Sequence, residues 1–406
     1  MRQLPKFICF LVGSVLLITS TSTTHAANGS GDAISDPYRT AQDYRYNLEY
    51  DLAQKTLEDW LAQHPSDLHA LHELATVMLH REMFQRGVLA SHIYGDLGSM
   101  FRTGRIPYSP EFQKKLFDVL AKTQSLAEAR LKINPNDQEA LYWAGATHAT
   151  RAVFYFTMAK SYLAALHETT EARKEHAQLL KINPNFTDAW LVVGVNDYVA
   201  GSLPWYYKMF ASLAGYHGKR AQGIAEVQRV AAQGNWAQDD ARLILAVLYR
   251  REKMYPQAMQ VLQGLARSYP RNFLLERQMA GIYQEAGDLR SAARIYDDIV
   301  AKRETRQPGY AHMPAANILF ESGQIHARLG ETDIALARYK EAASLPGKDI
   351  YIYRSALAAA DIEMHRNHRT AALETYRHVA QAVPNTDEGK VAREALTDPP
   401  AADPPK

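Results

Sequence analysis

Residues 270–304, PRNFLLERQMAGIYQEAGDLRSAARIYDDIVAKRE, constrain this chain more than any other stretch. Leu275, Met279, Ile282 and Tyr283 recur at helical spacing, Gly287 and Asp288 interrupt the run, and Ala292, Ile295, Tyr296 and Ile299 resume it. The pattern predicts two helices joined by a tight turn. Each helix has an apolar stripe that the hairpin cannot cover alone, so similar hairpins must stack against it. A chain of 406 residues has room for a long array of them.

Recurrent punctuation supports an array. Apolar helical runs close at Pro65, Pro135, Pro184, Gly234, Pro270, Pro346-Gly347 and Pro384, and LKINPN occurs twice, at 131–136 and 180–185. The intervals are irregular, so the array is degenerate. Small residues sit where a partner helix packs closely: Gly145, Gly194, Ala246, Ala280 and Gly323. Trp190, Tyr249, Tyr283 and Tyr339 fill the layers beside them. Asp36 caps and Pro37 opens the first helix, and 387–396 form a last short helix that covers the final apolar face. No alternating strand pattern persists, so the expected class is all-α.

Ala280, Tyr283, Gly287, Ala292 and Tyr296 stand where a 34-residue tetratricopeptide repeat has its small and aromatic positions, and the hairpin resembles that repeat. The resemblance implies a right-handed superhelical solenoid of degenerate tetratricopeptide-type hairpins. A narrower resemblance covers 203–250, through Leu203-Pro204, Gly215, Gly218, Arg220, Gly223, Ile224, Gly234 and the helix ARLILAVLY. This block is similar to a eukaryotic tetratricopeptide family that includes an inclusion-body clearance protein found near the outer mitochondrial membrane. The implication is the same fold and a scaffold-like role near membranes; the amino-terminal segment described next departs from that family.

Arg2 and Lys6 precede an uncharged apolar run at 7–18 and then TSTSTTHAAN, the layout of a secretory signal peptide with cleavage expected after Ala26. The chain therefore divides into a signal peptide at 1–26, a small polar linker at 27–36, irregular repeats at 37–234, more regular repeats with a capping helix at 235–396, and a proline-rich tail at 397–406. The expected location is the periplasm or cell envelope. Removing 1–26 takes two basic residues and no acidic ones, leaving 44 of each, so net charge provides no general attraction to nucleic acid. The sole cysteine, Cys9, lies in the apolar run, and no disulfide is expected.

Among the 15 histidines, His69, His72 and His80, and separately His365 and His368, are the clusters to weigh as metal ligands. Neither brings a third ligand onto the same helix face, so no metal site and no cofactor are assigned. Gly215, Gly218 and Gly223 around Lys219 fail the spacing of a phosphate loop and read as a tight turn between helices. No serine elbow or carboxylate pair is present, and the expectation is a non-catalytic chain that binds protein or peptide partners. The first helices of successive repeats would line a groove with Tyr142, Ala146, Leu191, Val195, Tyr198, Arg277, Gln284, Phe320 and Gln324. Two aromatic-rich stretches, 150–166 and 201–216, lengthen the repeats around them. Trp205, Tyr206, Tyr207 and Phe210 form a second candidate contact, with a partner or with a membrane surface.

Overall fold

The computed structural model describes residues 36–89, 105–202, 218–311 and 313–398. Among these, every regular element is helical. The chain separates into two compact units, Met1–Leu275 and Glu276–Lys406.

In the first unit, helices pack mainly against their neighbours in sequence. They are α1 (Pro37–Tyr46), α2 (Tyr50–Gln63), α3 (Leu68–Gln85), α4 (Pro110–Ile133), α5 (Gln138–Phe154), α6 (Tyr162–Ile182), α7 (Trp190–Ser202), α8 (Arg220–Gln233), α9 (Gln238–Arg251) and α10 (Tyr255–Ser268). Helix α11 (Phe273–Glu285) contains the boundary between the units. The second unit continues with α12 (Leu289–Glu304), α13 (Ala315–Arg328), α14 (Thr332–Ala343), α15 (Ile350–His365), α16 (Arg369–Ala382) and α17 (Asp387–Thr397).

Local chemistry accounts for the helix ends. Asp36 Oδ1 accepts from the amides of Tyr38 and Arg39 at 3.0 and 3.4 Å, and Pro37 occupies the first turn, where its missing amide costs nothing. The two LKINPN segments make the same turn. Asn134 and Asn183 each end a helix, and their Oδ1 atoms accept from the amides of Asn136 and Asn185 at 3.1 and 3.0 Å. Turns inside the hairpins share a left-handed residue, which is Gly287 or Gly330 in two of them but Leu48, Lys253 or Asn367 in others, and Gly87 just after α3 is left-handed too.

The expected small residues are sites of close helix approach. A Cβ on Gly145 would lie 2.4 Å from the His176 ring, and one on Gly323 would lie 2.5 Å from Tyr339. The glycine-rich block differs from the expected turn. Gly223 lies inside α8, where a Cβ would meet the Gly194 carbonyl and the Tyr198 amide of α7, each at 2.4 Å. The stretch 150–166 is likewise not one helix. After Phe154 the backbone widens into a π-helical turn at Tyr155–Ala159, Lys160 takes a left-handed conformation, and α6 begins at Tyr162. Phe154, Phe156 and Met158 are all buried there.

Punctuation alone placed a division at 234/235, yet the compact units meet at 275/276. The physical reason is that α1 returns to meet α9 and the loop that follows α10. Arg45 Nη1 and Nη2 reach Asp240 at 3.2 and 3.4 Å, the Tyr46 hydroxyl donates to the same carboxylate, and Asn272 Nδ2 donates to the Tyr46 carbonyl at 2.6 Å. These bonds join residues about two hundred positions apart and close the first unit on itself. In the second unit, α17 brings Ala392 into a core with Leu357, Met364, Tyr376 and Val379, and Arg354 pairs with Glu388 at 2.8 Å. Helix α17 thereby packs its buried side against α15 and α16.

Candidate functional site: a cleft in the first unit

Closure of the first unit leaves an open cleft of about 730 Å³. Its lining includes Asp36, Tyr38, His64, Asp67, His69, Arg130, Glu139 and Trp236, drawn from the amino-terminal ends of α1, α3, α5 and α9 and from the carboxyl-terminal ends of α2 and α4.

Most of these side chains are held in place by the packing. Asp67 caps α3 through the Ala70 amide at 3.1 Å and also accepts from Trp60 Nε1 at 2.9 Å and from the Tyr38 hydroxyl. Burial acts to raise its carboxyl pKa, but these donors outweigh it and hold the group below the usual carboxylate range. Arg130 gives Nε and Nη2 to Asp137 at 2.9 and 3.0 Å, and Nη2 also to Glu139 Oε2 at 2.8 Å. Trp236 is set by Asp188, whose Oδ1 accepts from the amides of Asn235, Trp236 and Ala237 at 2.9, 3.0 and 2.9 Å.

Behind the cleft lies an aromatic wall. His69 stacks on Tyr38 with ring centroids 4.0 Å apart and on Trp143 at 4.6 Å, and Trp236 packs against Tyr142, Trp143 and Phe186 at 5.0 to 5.5 Å. Burial pulls the His69 imidazole down to about 3, so it is neutral near pH 7. Its Nε2 is buried without a protein partner, as are the Tyr142 hydroxyl and Trp143 Nε1. A concentration of buried polar atoms without protein partners is unusual in a packed core.

The nine residues expected to line an open groove separate into two sets. Tyr142, Ala146, Leu191, Val195 and Tyr198 are buried, with Tyr142, Ala146, Leu191 and Tyr198 at 0% exposure. The expectation of exposed groove residues is corrected for these five. α5 and α7 are enclosed on nearly every side, because the first unit closes around them. The Tyr198 hydroxyl donates to Glu252 at 2.8 Å. In the second unit, Gln284 and Gln324 are exposed and Phe320 is half-buried against Tyr339 and Tyr351. Arg277 is engaged: its Nε donates to Glu321 Oε2 at 2.8 Å and its Nη2 to Oε1, while the Tyr296 hydroxyl donates to the same carboxylate. Trp205, Tyr206, Tyr207 and Phe210 lie outside the described residues.

The histidines are absorbed into packing and hydrogen bonds. His72 Nε2 meets Thr150 Oγ1 at 3.0 Å, His80 is buried, His365 Nδ1 meets the Asp361 carbonyl at 2.7 Å, and His368 pairs with Glu363. Among the described residues no group of three or more histidine, cysteine or carboxylate side chains comes together as a metal site. No described helix is long and apolar enough to cross a membrane.

The cleft escaped the sequence reading because its members are 36–69, 130–139 and 236. They are helix caps, loop residues and residues of first or last helical turns without shared periodicity, and only folding brings them together. His69 stood out, but as a metal candidate. Trp236 had one legible signal, a large aromatic in a turn just after a glycine closure rather than on an apolar helical stripe.

Two family models described as tetratricopeptide repeat match residues 240–272 and 278–350. No curated protein matches the chain. Similar solved structures include a human IFIT1 dimer with m7Gppp-AAAA, at 13% identity over 97% of this chain and 85% of that one, with a TM-score of 0.40. Pseudomonas aeruginosa PilF aligns at 14% identity over 64% of this chain and 99% of its own, with a TM-score of 0.39. Yeast Tom70 aligns at 13% identity over 91% of each chain, with a TM-score of 0.33. Likenesses this distant carry no argument about ligand or partner. The two family matches show that the chain carries tetratricopeptide repeats between residues 240 and 350, within an all-α array of helical hairpins.

Proposed function

We propose that the protein is an exported, non-catalytic scaffold that holds protein or peptide partners in the cell envelope. One observation carries this reading: the chain is built of tandem tetratricopeptide-type hairpins, an architecture that offers binding surface along its repeats. The surface in the second unit is the exposed side of α11 and α13, with Gln284, Phe320 and Gln324. In the first unit it is the cleft, whose carboxylates serve chiefly as helix caps and ion-pair partners rather than standing as an acid–base pair. The signal-like layout of 1–26 supports export.

The test is a cross-linked pull-down from envelope extract with the full chain tagged at its carboxyl terminus, alongside amino-terminal sequencing of the purified protein. The expected result is a reproducible set of retained partners, reduced by Phe320→Ala combined with Gln324→Ala or by Trp236→Phe, and a mature terminus at residue 27. An empty pull-down would end the scaffold reading, and an intact Met1 on protein confined to the cytosolic fraction would end the export reading.

A further inference from the structure

The cleft is acidic as well as aromatic. Its charged lining comprises Asp36, Asp67 and Glu139 against Arg130, and the Arg130 charge is already met by Asp137 and Glu139. Asp67 is fully engaged, but two carboxylates keep an oxygen in reserve. Glu139 uses Oε2 for Arg130, leaving Oε1 without a protein partner, and Asp36 uses Oδ1 for the α1 cap, leaving Oδ2. Trp236 lies in the lining and is only partly buried. His69, 6% exposed, lies in the same lining with a buried Nε2 that no protein atom satisfies. A cation with several N–H donors suits this lining. It is attracted by the net negative charge, donates to carboxylate oxygens and lies favourably against an indole ring.

We propose that the cleft binds the side chain of a lysine or arginine presented by an extended peptide segment of a partner, with Trp236, Glu139 and Asp36 as its contacts. The inference rests on the scaffold reading for the identity of its ligand as a peptide. Because α1 contributes Asp36 and Tyr38 while α9 follows Trp236, the seat exists only when the first unit is closed. His69 remains uncharged across the neutral range and does not repel the bound cation.

The experiment uses the full-length protein and four capped pentapeptides, Gly-Ser-X-Ser-Gly with X as arginine, lysine, citrulline or glutamate. Binding is read from the indole ¹H–¹⁵N signal of Trp236, assigned by its absence in Trp236→Phe, and from calorimetry. The arginine and lysine peptides should shift that signal saturably, and the citrulline and glutamate peptides should not. Added salt should weaken binding. Glu139→Gln, which keeps the side-chain shape at a half-exposed position, should weaken arginine-peptide binding about tenfold, and Asp36→Asn should weaken it less.

Citrulline binding as tightly as arginine would overturn the proposal, as would affinity within twofold of wild type in both Glu139→Gln and Asp36→Asn. Should Glu139→Gln lose its native indole signals, Asp36→Asn alone decides by the same criterion. The scaffold reading is judged separately. Partners retained in the pull-down equally well by wild type and Glu139→Gln, with no peptide binding, would remove the basic seat and leave the scaffold in place.

Discussion

Replacing Asp240 with alanine is the sharpest test of how the first unit is held closed. Asp240 and Arg45 are 1% and 2% exposed, and Arg45 also lies 3.5 Å from Glu73, itself 2% exposed. The substitution removes two guanidinium hydrogen bonds, at 3.2 and 3.4 Å, and takes from the Tyr46 hydroxyl its acceptor. The substitution costs about 3–5 kcal/mol, because the buried guanidinium loses one of its two carboxylate neighbours, and both it and the Tyr46 hydroxyl lose their acceptor while keeping their desolvation penalty. The expected site of failure is the α1 closure, since these bonds join α1 to α9. Native-state hydrogen exchange should show amides at 40–46, and the Arg271 amide that donates to Asn47 Oδ1 at 3.0 Å, exchanging about 100- to 3,000-fold faster. Amides of α13 to α16 in the second unit should be unchanged. Asp51→Ala is the control: it breaks an ion pair whose side chains are 38% and 80% exposed, and should cost less than about 1 kcal/mol. A loss of protection below tenfold in Asp240→Ala, or an equal loss in Asp51→Ala, would refute the claim that this buried cluster closes the unit.

Acid should open the same unit. Burial holds His69 and His72 at about 3, His176 at about 4 and His80 well below its ordinary value near 6.5. A depressed histidine binds its proton more readily when unfolded, so its contribution is complete above about pH 6.5 and is lost as pH falls toward the folded values. Near pH 5.5 each contributes a loss of about 1.4 kcal/mol, and denaturant melts from pH 7 to 5 should show it; a flat profile would contradict the burial. Gly223→Ala should destabilise the first unit by about 1–3 kcal/mol or more in urea titrations, because the new methyl meets backbone atoms of α7 at 2.4 Å. Lys253→Gly should instead stabilise it by about 0.5–1 kcal/mol, since Lys253 holds φ of 59° at a turn where other hairpins use glycine. In liposome flotation, the membrane reading of 203–216 predicts co-flotation reduced by Trp205→Ala, and protein remaining in the buffer fraction would remove it.

The helical hairpin at 270–304 was legible because its cues are local. Apolar spacing, Gly287 at φ +84° and the Asp288 cap, which accepts the Ser291 amide at 3.0 Å, each act within a few residues. The paired LKINPN turns, the Asp36 cap and the close approaches at Gly145 and Gly323 are also written locally, and the structure realises each of them. Which face of α5 and α7 would be open is a different kind of question. Tyr142 and Tyr198 sit on first helices, as a groove residue would, and periodicity cannot tell a lining position from a buried one when a helix is apolar nearly all round.

That decision belongs to contacts about two hundred residues apart. Arg45 and Tyr46 find Asp240, and Asn47 finds Arg271, so the first unit closes, α5 and α7 become core, and the cleft forms where four helix amino termini meet. From the sequence alone came the all-α class, the repeat and most helix ends, because hydrogen-bonded turns and apolar stripes are short-range. Only the tertiary structure put Trp236, His69, Arg130 and Glu139 around one space, because nothing local couples residues so far apart until buried charges and aromatic faces select their partners.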